Sequence, residues 1–186
     1  MAVLGRGLAL AACVALLLGG WAQPAFAQQT IEAEVKAAFL YNFTKYVDWP
    51  PAAFQDEAEP FRMCVVGPPA FVASVEALVK GETARARPIH VVPSPTSQFN
   101  RCHILFVSAQ DAQRMASAVH AVSSRPVLTV VESLTLFEQG SAVLLAVDGS
   151  RVRFDINLAA VHRAGLNVSS KLLRVARNIK PEVPVR

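Results

Sequence analysis

The sequence predicts an α/β fold: a single domain with a mainly parallel sheet covered by helices on both faces, a C-terminal hairpin and two terminal helices. Three observations carry this reading. Short β-branched runs alternate with segments whose apolar residues recur every three or four positions, the order of a parallel sheet with helical crossovers. The run CHILFVS (Cys102 to Ser108) is apolar almost throughout, as strands covered on both faces are. Asp148-Gly149-Ser150 separates two apolar runs and signals a hairpin, which makes one edge of the sheet antiparallel.

The chain opens with Arg6, an apolar stretch from Leu8 to Leu18, and the small-residue site Ala25-Phe26-Ala27. These are the parts of a secretory leader over residues 1–27, which places a domain of residues 28–186 outside the cytoplasm. The apolar stretch is short and ends in glycines, a poor membrane span. Leu10-Ala-Ala-Cys13 resembles a lipidation box, but it lies close behind Arg6 with more apolar residues after it, so cleavage after Ala27 is the expectation.

The segment IEAEVKAAFLYNFTKYVDWP (Ile31 to Pro50) carries Ile31, Val35, Ala38, Phe39, Phe43, Tyr46 and Val47 at helical steps. Pro50-Pro51 ends it near Asp48-Trp49. Its basic residues, Lys36 and Lys45, are too few for a lipid-binding stripe, so it is expected to cover the sheet. Val35, Phe39 and Phe43 should lie in the core, with Trp49 pinning the helix end. A Pro-rich loop to Pro60 follows, then a strand FRMCVVG, a helix from Phe71 to Lys80 closed by Gly81, and a strand from Pro88 to Val92. After the loop Pro93 to Ser97 and the strand CHILFVS, Ser108-x-x-Asp111 opens a helix through His120 as a capping box. Val127 to Val131 is a strand, and Ser133 to Gln139 is a short helix closed by Gly140. The hairpin arms are Ala142 to Val147 and Val152 to Ile156, with a bulged three-residue turn. Asn157 caps a helix ending at Gly165, and Ser169 caps a last helix to Ile179, before Pro181.

A net charge of +4, part of it in the leader, is too mild and dispersed to argue for nucleic acid. The basic tail, Lys171, Arg174, Arg177, Lys180 and Arg186, reads as a solvated helix face, or as contact with an acidic partner. In VVGPPAF, Pro68 and Pro69 remove N–H donors that a phosphate loop needs. His90, His103, His120 and His162 share no metal spacing and read as surface or strand-edge residues. No cofactor is expected. Ser108 stands where parallel-sheet sites lie, yet capping explains it and no G-x-S-x-G elbow occurs. Asp155 shares a strand face with Arg151 and Arg153, as a surface ion pair or a binding site. Cys64 and Cys102 fall at similar depth in the first and third strands, which are neighbours in the common 2-1-3 order. They are either bridged, across a loop of about 40 residues worth roughly 3–4 kcal/mol, or buried free thiols.

The blocks VKAAFLYNFTKYVDWP, CVVG, CHILFVS, PVLTV and RVRFDINLAAVHRAGLNVSSKLLRVAR, in this order behind a leader, resemble the YfiR family (DUF4154) of periplasmic proteins. The resemblance spans Val35 to about Ala176. It implies a non-enzymatic α/β repressor that binds the periplasmic part of an inner-membrane diguanylate cyclase, lowering cyclic di-GMP and biofilm formation. It further implies sequestration by an OmpA-like outer-membrane lipoprotein, a homodimer, and redox-sensitive cysteines at Cys64 and Cys102. The chain departs from the family in two places. It lacks the second cysteine pair that some members carry near Phe137 to Leu145, and it has Gly140-Ser141 where many have Gly-Gly. On this reading the partner-binding patch is Asp155, Asn157, Val161 and His162, and a small-ligand groove lies by Arg163, Asn167, Ser169 and Ser170. Two other classes compete: a small-ligand sensor serving a membrane partner such as a histidine kinase, and an enzyme using Ser108.

Overall fold

The computed structural model describes residues 24–93 and 97–182, with side chains from residue 31 onward. The leader expected over residues 1–27 lies outside them, apart from residues 24–27, as does Arg186 of the basic tail. Residues up to Ile31 form a unit apart from Glu32–Arg186, and only helical backbone is described in it.

Helix α1 (Pro24–Tyr46) leads directly into the short strand β1 (Val47–Asp48). Its buried stripe is Ala37, Leu40, Phe43 and Thr44, continued by Val47 and Trp49. Phe39 is half-buried, edge-on to Phe154, but Val35, Ile31 and Tyr46 are exposed. The expected face is therefore rotated. Thr44 is buried with its hydroxyl donating to the Tyr41 carbonyl at 2.7 Å. Lys36 also turns inward, its ammonium held between Glu32 and Glu132, 2.6 Å from the latter. Trp49 does pin the helix end: its indole N–H donates to the His103 carbonyl at 3.1 Å, and its ring stands edge-on to Phe61.

Eight strands form the main sheet in the order β10-β8-β7-β6-β5-β2-β4-β3. In chain order these are β2 (Phe61–Val66), β3 (Thr83–Ala84), β4 (Arg87–Pro93), β5 (Ile104–Val107), β6 (Leu128–Val131), β7 (Val143–Asp148), β8 (Arg151–Asn157) and β10 (Asn178–Lys180). Only the β7–β8 and β3–β4 pairs are antiparallel. A second, two-stranded ladder joins β1 to β9 (Asn167–Val168). The helices between the strands are α2 (Pro69–Val79), α3 (Ala112–Ala121), α4 (Leu134–Glu138), α5 (Leu158–Arg163) and α6 (Ser170–Leu173).

The period-two rule divides the sheet between two cores. Met63, Val65, Ile104, Phe106, Leu128 and Val130 face α1, α2 and α5, whereas Cys64, Val66, Leu105, Val107 and Val131 face α3 and α4. Sheet strands buried on both faces explain the uninterrupted apolar runs in the sequence.

Three expectations are corrected. The β7–β8 turn has two residues, Gly149 and Ser150, because Asp148 pairs with Arg151; glycine in the first position supplies the positive φ (+61°) that this tight turn requires. Ser108 does not cap a helix through the backbone. Its hydroxyl donates to Asp111 Oδ2 at 2.8 Å, and a 3-10 turn (Ala109–Asp111) precedes α3. The last helix is a single turn, α6, and the chain then straightens into β10 alongside β8. The basic tail is thus an edge strand and its approach rather than a helix face.

Candidate functional site

The C-terminal edge of the sheet gathers most of the residues singled out in the sequence. β8 delivers Asp155 beside the incoming tail, where the Arg177 Nε and Nη2 groups donate to its two carboxylate oxygens at 2.8 and 2.7 Å. Asn178 adds a third donor at 3.2 Å, and the Arg177 backbone N–H donates to the Phe154 carbonyl. The Arg177 guanidinium holds the Asp155 carboxyl below its ordinary range, despite burial acting the other way. This bidentate pair anchors β10 to β8. Asp155 pairs neither with Arg151 nor with Arg153, which stay exposed, because the partner arrives from 22 residues downstream. No spacing rule connects residues so far apart.

Asn157 is buried, and its Oδ1 accepts the Ala160 N–H at 3.1 Å, the helix cap expected of it. Val161 is fully buried in the core. Of the four proposed contact residues only His162 reaches the surface, with Nδ1 2.9 Å from Glu182. Asp155, Asn157 and Val161 support a surface rather than form one. Val175 and Ile179, expected in the helix Ser169 to Ile179, are exposed, the latter on β10 and the former just ahead of it.

The four residues of the expected ligand groove do not come together. Arg163 extends over Gly140, donating to its carbonyl at 2.8 Å. The φ of +113° there favours glycine, and a Cβ at this position would lie 2.9 Å from the Arg163 guanidinium, which would have to swing aside. Arg163, His120, Ser123, Ser124 and Gln139 line a cavity of about 850 Å³ between α3 and α4. Asn167 instead pairs with Asp48 in the small ladder, and Ser169 caps α6 while its N–H donates to the Tyr46 carbonyl. Ser170 is exposed at the start of α6.

Two further positions complete the search for chemistry. His103 is buried, not a surface residue: its ring stacks between Phe54 and Phe61, with centroids at 4.3 and 4.9 Å. Its Nδ1 accepts the Arg62 N–H at 2.9 Å, leaving Nε2 to donate to the Ala53 carbonyl at 3.2 Å, so the ring is neutral. Burial holds its pKa below the ordinary histidine value. Cys64 on β2 and Cys102 are bridged, with Cα atoms 5.8 Å apart; Cys102 lies two residues ahead of β5 rather than within a strand as expected, and Leu105 is the residue that pairs with Cys64. Among the described residues no group of three His, Cys, Asp or Glu side chains is placed to hold a metal ion. No described helix is long and apolar enough to cross a membrane.

The family model for DUF4154, described as YfiR/HmsC-like, matches residues 33–177. Among solved structures, the chain is similar to the crystal structure of a conserved domain protein from Vibrio cholerae O1 biovar El Tor str. N16961, at 14% identity and a TM-score of 0.52. The match covers 80% of this chain and 60% of that one, a likeness of fold.

Proposed function

The chain belongs to the YfiR/HmsC-like family of periplasmic regulators of cyclic di-GMP signalling, and on that premise we propose that it binds the periplasmic part of an inner-membrane diguanylate cyclase and represses it, lowering cyclic di-GMP and biofilm formation. The observation that carries this reading is the extent of the family match, which runs from α1 to the Arg177 anchor. Repression needs no catalysis by the chain itself: tighter binding to the inactive state of the cyclase than to the active one shifts its population. A leader over residues 1–27 delivers the chain to the periplasm. An OmpA-like outer-membrane lipoprotein that sequesters the chain would release the cyclase, and the chain acts as a homodimer.

The contact is assigned to the surface that Asp155, Asn157 and Val161 hold up: His162, Val175, Ile179 and the outer edge of β10. This strand ends the sheet, and an edge strand offers backbone groups to an incoming segment. The test is a cross-linked pull-down from the native envelope using the wild-type chain and Ile179→Asp. Recovery of a membrane protein with a GGDEF domain by the wild type, much reduced with the variant, supports the reading. Equal recovery by both contradicts the assigned surface.

A second reading, a small-ligand sensor, is favoured by one feature, the cavity beside Arg163. If it holds, a small periplasmic solute should raise the melting temperature of the wild type, and Arg163→Ala should remove that rise.

A further inference from the structure

The disulfide forms part of the wall of a small cavity lined also by Arg62, Val92, Ser97, Gln98 and Arg101. Its volume of about 90 Å³ is far below the several hundred Å³ of a typical cofactor or drug-sized pocket. Arg62 lies two residues before Cys64 on β2 and so shares its face; Arg101 directly precedes Cys102. The topology thereby brings two guanidinium groups to one place, Arg62 from β2 and Arg101 from the 3-10 turn (Phe99–Arg101) that precedes β5, the neighbour of β2 in the sheet.

These cations are incompletely matched. Arg62 Nε and Arg101 Nε are the two buried side-chain polar atoms that lack a hydrogen-bond partner among the described residues, and both arginines line this cavity. The nearest carboxylate, Glu59, is 3.8 Å from Arg62 Nε, beyond hydrogen-bond length, and its other oxygen accepts the Gln55 N–H. Arg101 donates from Nη2 to the neutral Gln55 side chain at 3.1 Å. Neither Nε–H group therefore has a carboxylate within hydrogen-bond length among the described residues. Buried donors of this kind are ordinarily satisfied, and the acceptor that satisfies planar guanidinium groups is an oxyanion.

We propose that Arg62 and Arg101, with Gln98, form a binding site for a small oxyanion seated over the Cys64–Cys102 disulfide. The inference does not depend on the regulatory reading. Occupancy covers the disulfide on this side and slows its reduction.

The test titrates the purified protein with sulfate and, separately, with acetate at constant ionic strength, following the arginine Nε–H signals by NMR. Saturable shifts of the Arg62 and Arg101 signals support the site: a response to sulfate alone identifies an inorganic oxyanion, and a response to both identifies a carboxylate acceptor as well. Arg101→Gln should weaken the binding by about tenfold or more, while Arg151→Gln, at the exposed hairpin tip, should leave it unchanged. Saturating anion should also slow reduction by dithiothreitol. Nε signals that do not move in the wild type, or equal affinity in Arg101→Gln, would overturn the proposal, and so would an unchanged reduction rate for its placement over the disulfide.

Discussion

Both ring nitrogens of His103 are engaged as a neutral imidazole, in a stack that a charge would disrupt. Its folded pKa lies below its unfolded value of about 6.5. Between the two values the unfolded chain binds the extra proton, so stability rises with pH there and is lost as pH falls below about 6.5. Urea midpoints should therefore drop between about pH 7.5 and about pH 5.5, and His103→Gln should flatten that drop; an equal slope in the variant would contradict the account. Asp155 acts lower on the pH scale. Its depressed pKa contributes stability that is present above the ordinary carboxylate range and lost as pH falls through it. Asp155→Ala should cost about 1–3 kcal/mol, because it strands the Arg177 guanidinium and frees β10. In denaturant titrations the Asp155→Ala and Arg177→Ala effects should be less than additive. At this scale the sequence was legible for local partners and opaque for distant ones. Asn157 and Ser169 cap the helices that follow them because a cap reaches only three residues. The partners of Asp155 and His103 come from elements that only folding brings near.

The elements were legible where a face is buried whole. β2, β5 and β6 lie between two cores and are mostly apolar, β5 throughout, so their limits fall within a residue or two of those expected. α1 was recognised as a helix, and Phe43 lies in the core with Phe39 packed against it, as expected; Val35 is exposed, and Ala37, Leu40 and Thr44 complete the buried stripe instead. The tail was misread because Lys171 to Ile179 has acceptable helical spacing. The bond from Arg177 to Asp155 and pairing with β8 win over that weak propensity. Hydrogen exchange should rank these elements: amides of Ile104–Val107 should outlast those of Asn178–Lys180 by orders of magnitude, since β5 is central and β10 is an exposed edge. Comparable protection would show the tail to be held far more firmly than its few contacts suggest. Replacing Cys64 and Cys102 together by Ala should lower stability by about 3–4 kcal/mol in the chain-entropy account, read from urea midpoints. The bridge closes a loop of sequence separation 38 between β2 and the segment that leads into β5.

For the whole molecule, alternation of strand and helix signals was enough to reach a mainly parallel, doubly covered sheet, and the order β4-β2-β5 brings Cys64 on β2 near Cys102, just ahead of β5. Which residues of this region are exposed was not legible. The sequence reading chose conspicuous residues of the FDIN turn, and polar residues that stand out in a sequence are often those with structural work inside the fold. Asp155 and Asn157 are of that kind; the exposed side of the same region belongs to His162, Val175 and Ile179. The proposed function places its weight on binding at this edge, with the sheet as a rigid support. It is tested most directly by cyclic di-GMP measured in native cells that lack the chain, then in cells that carry it again, and in cells that carry Ile179→Asp at equal periplasmic abundance. The account predicts a several-fold rise on loss, restoration by the wild-type chain, and no restoration by the variant. Cyclic di-GMP unchanged by loss of the chain would contradict it.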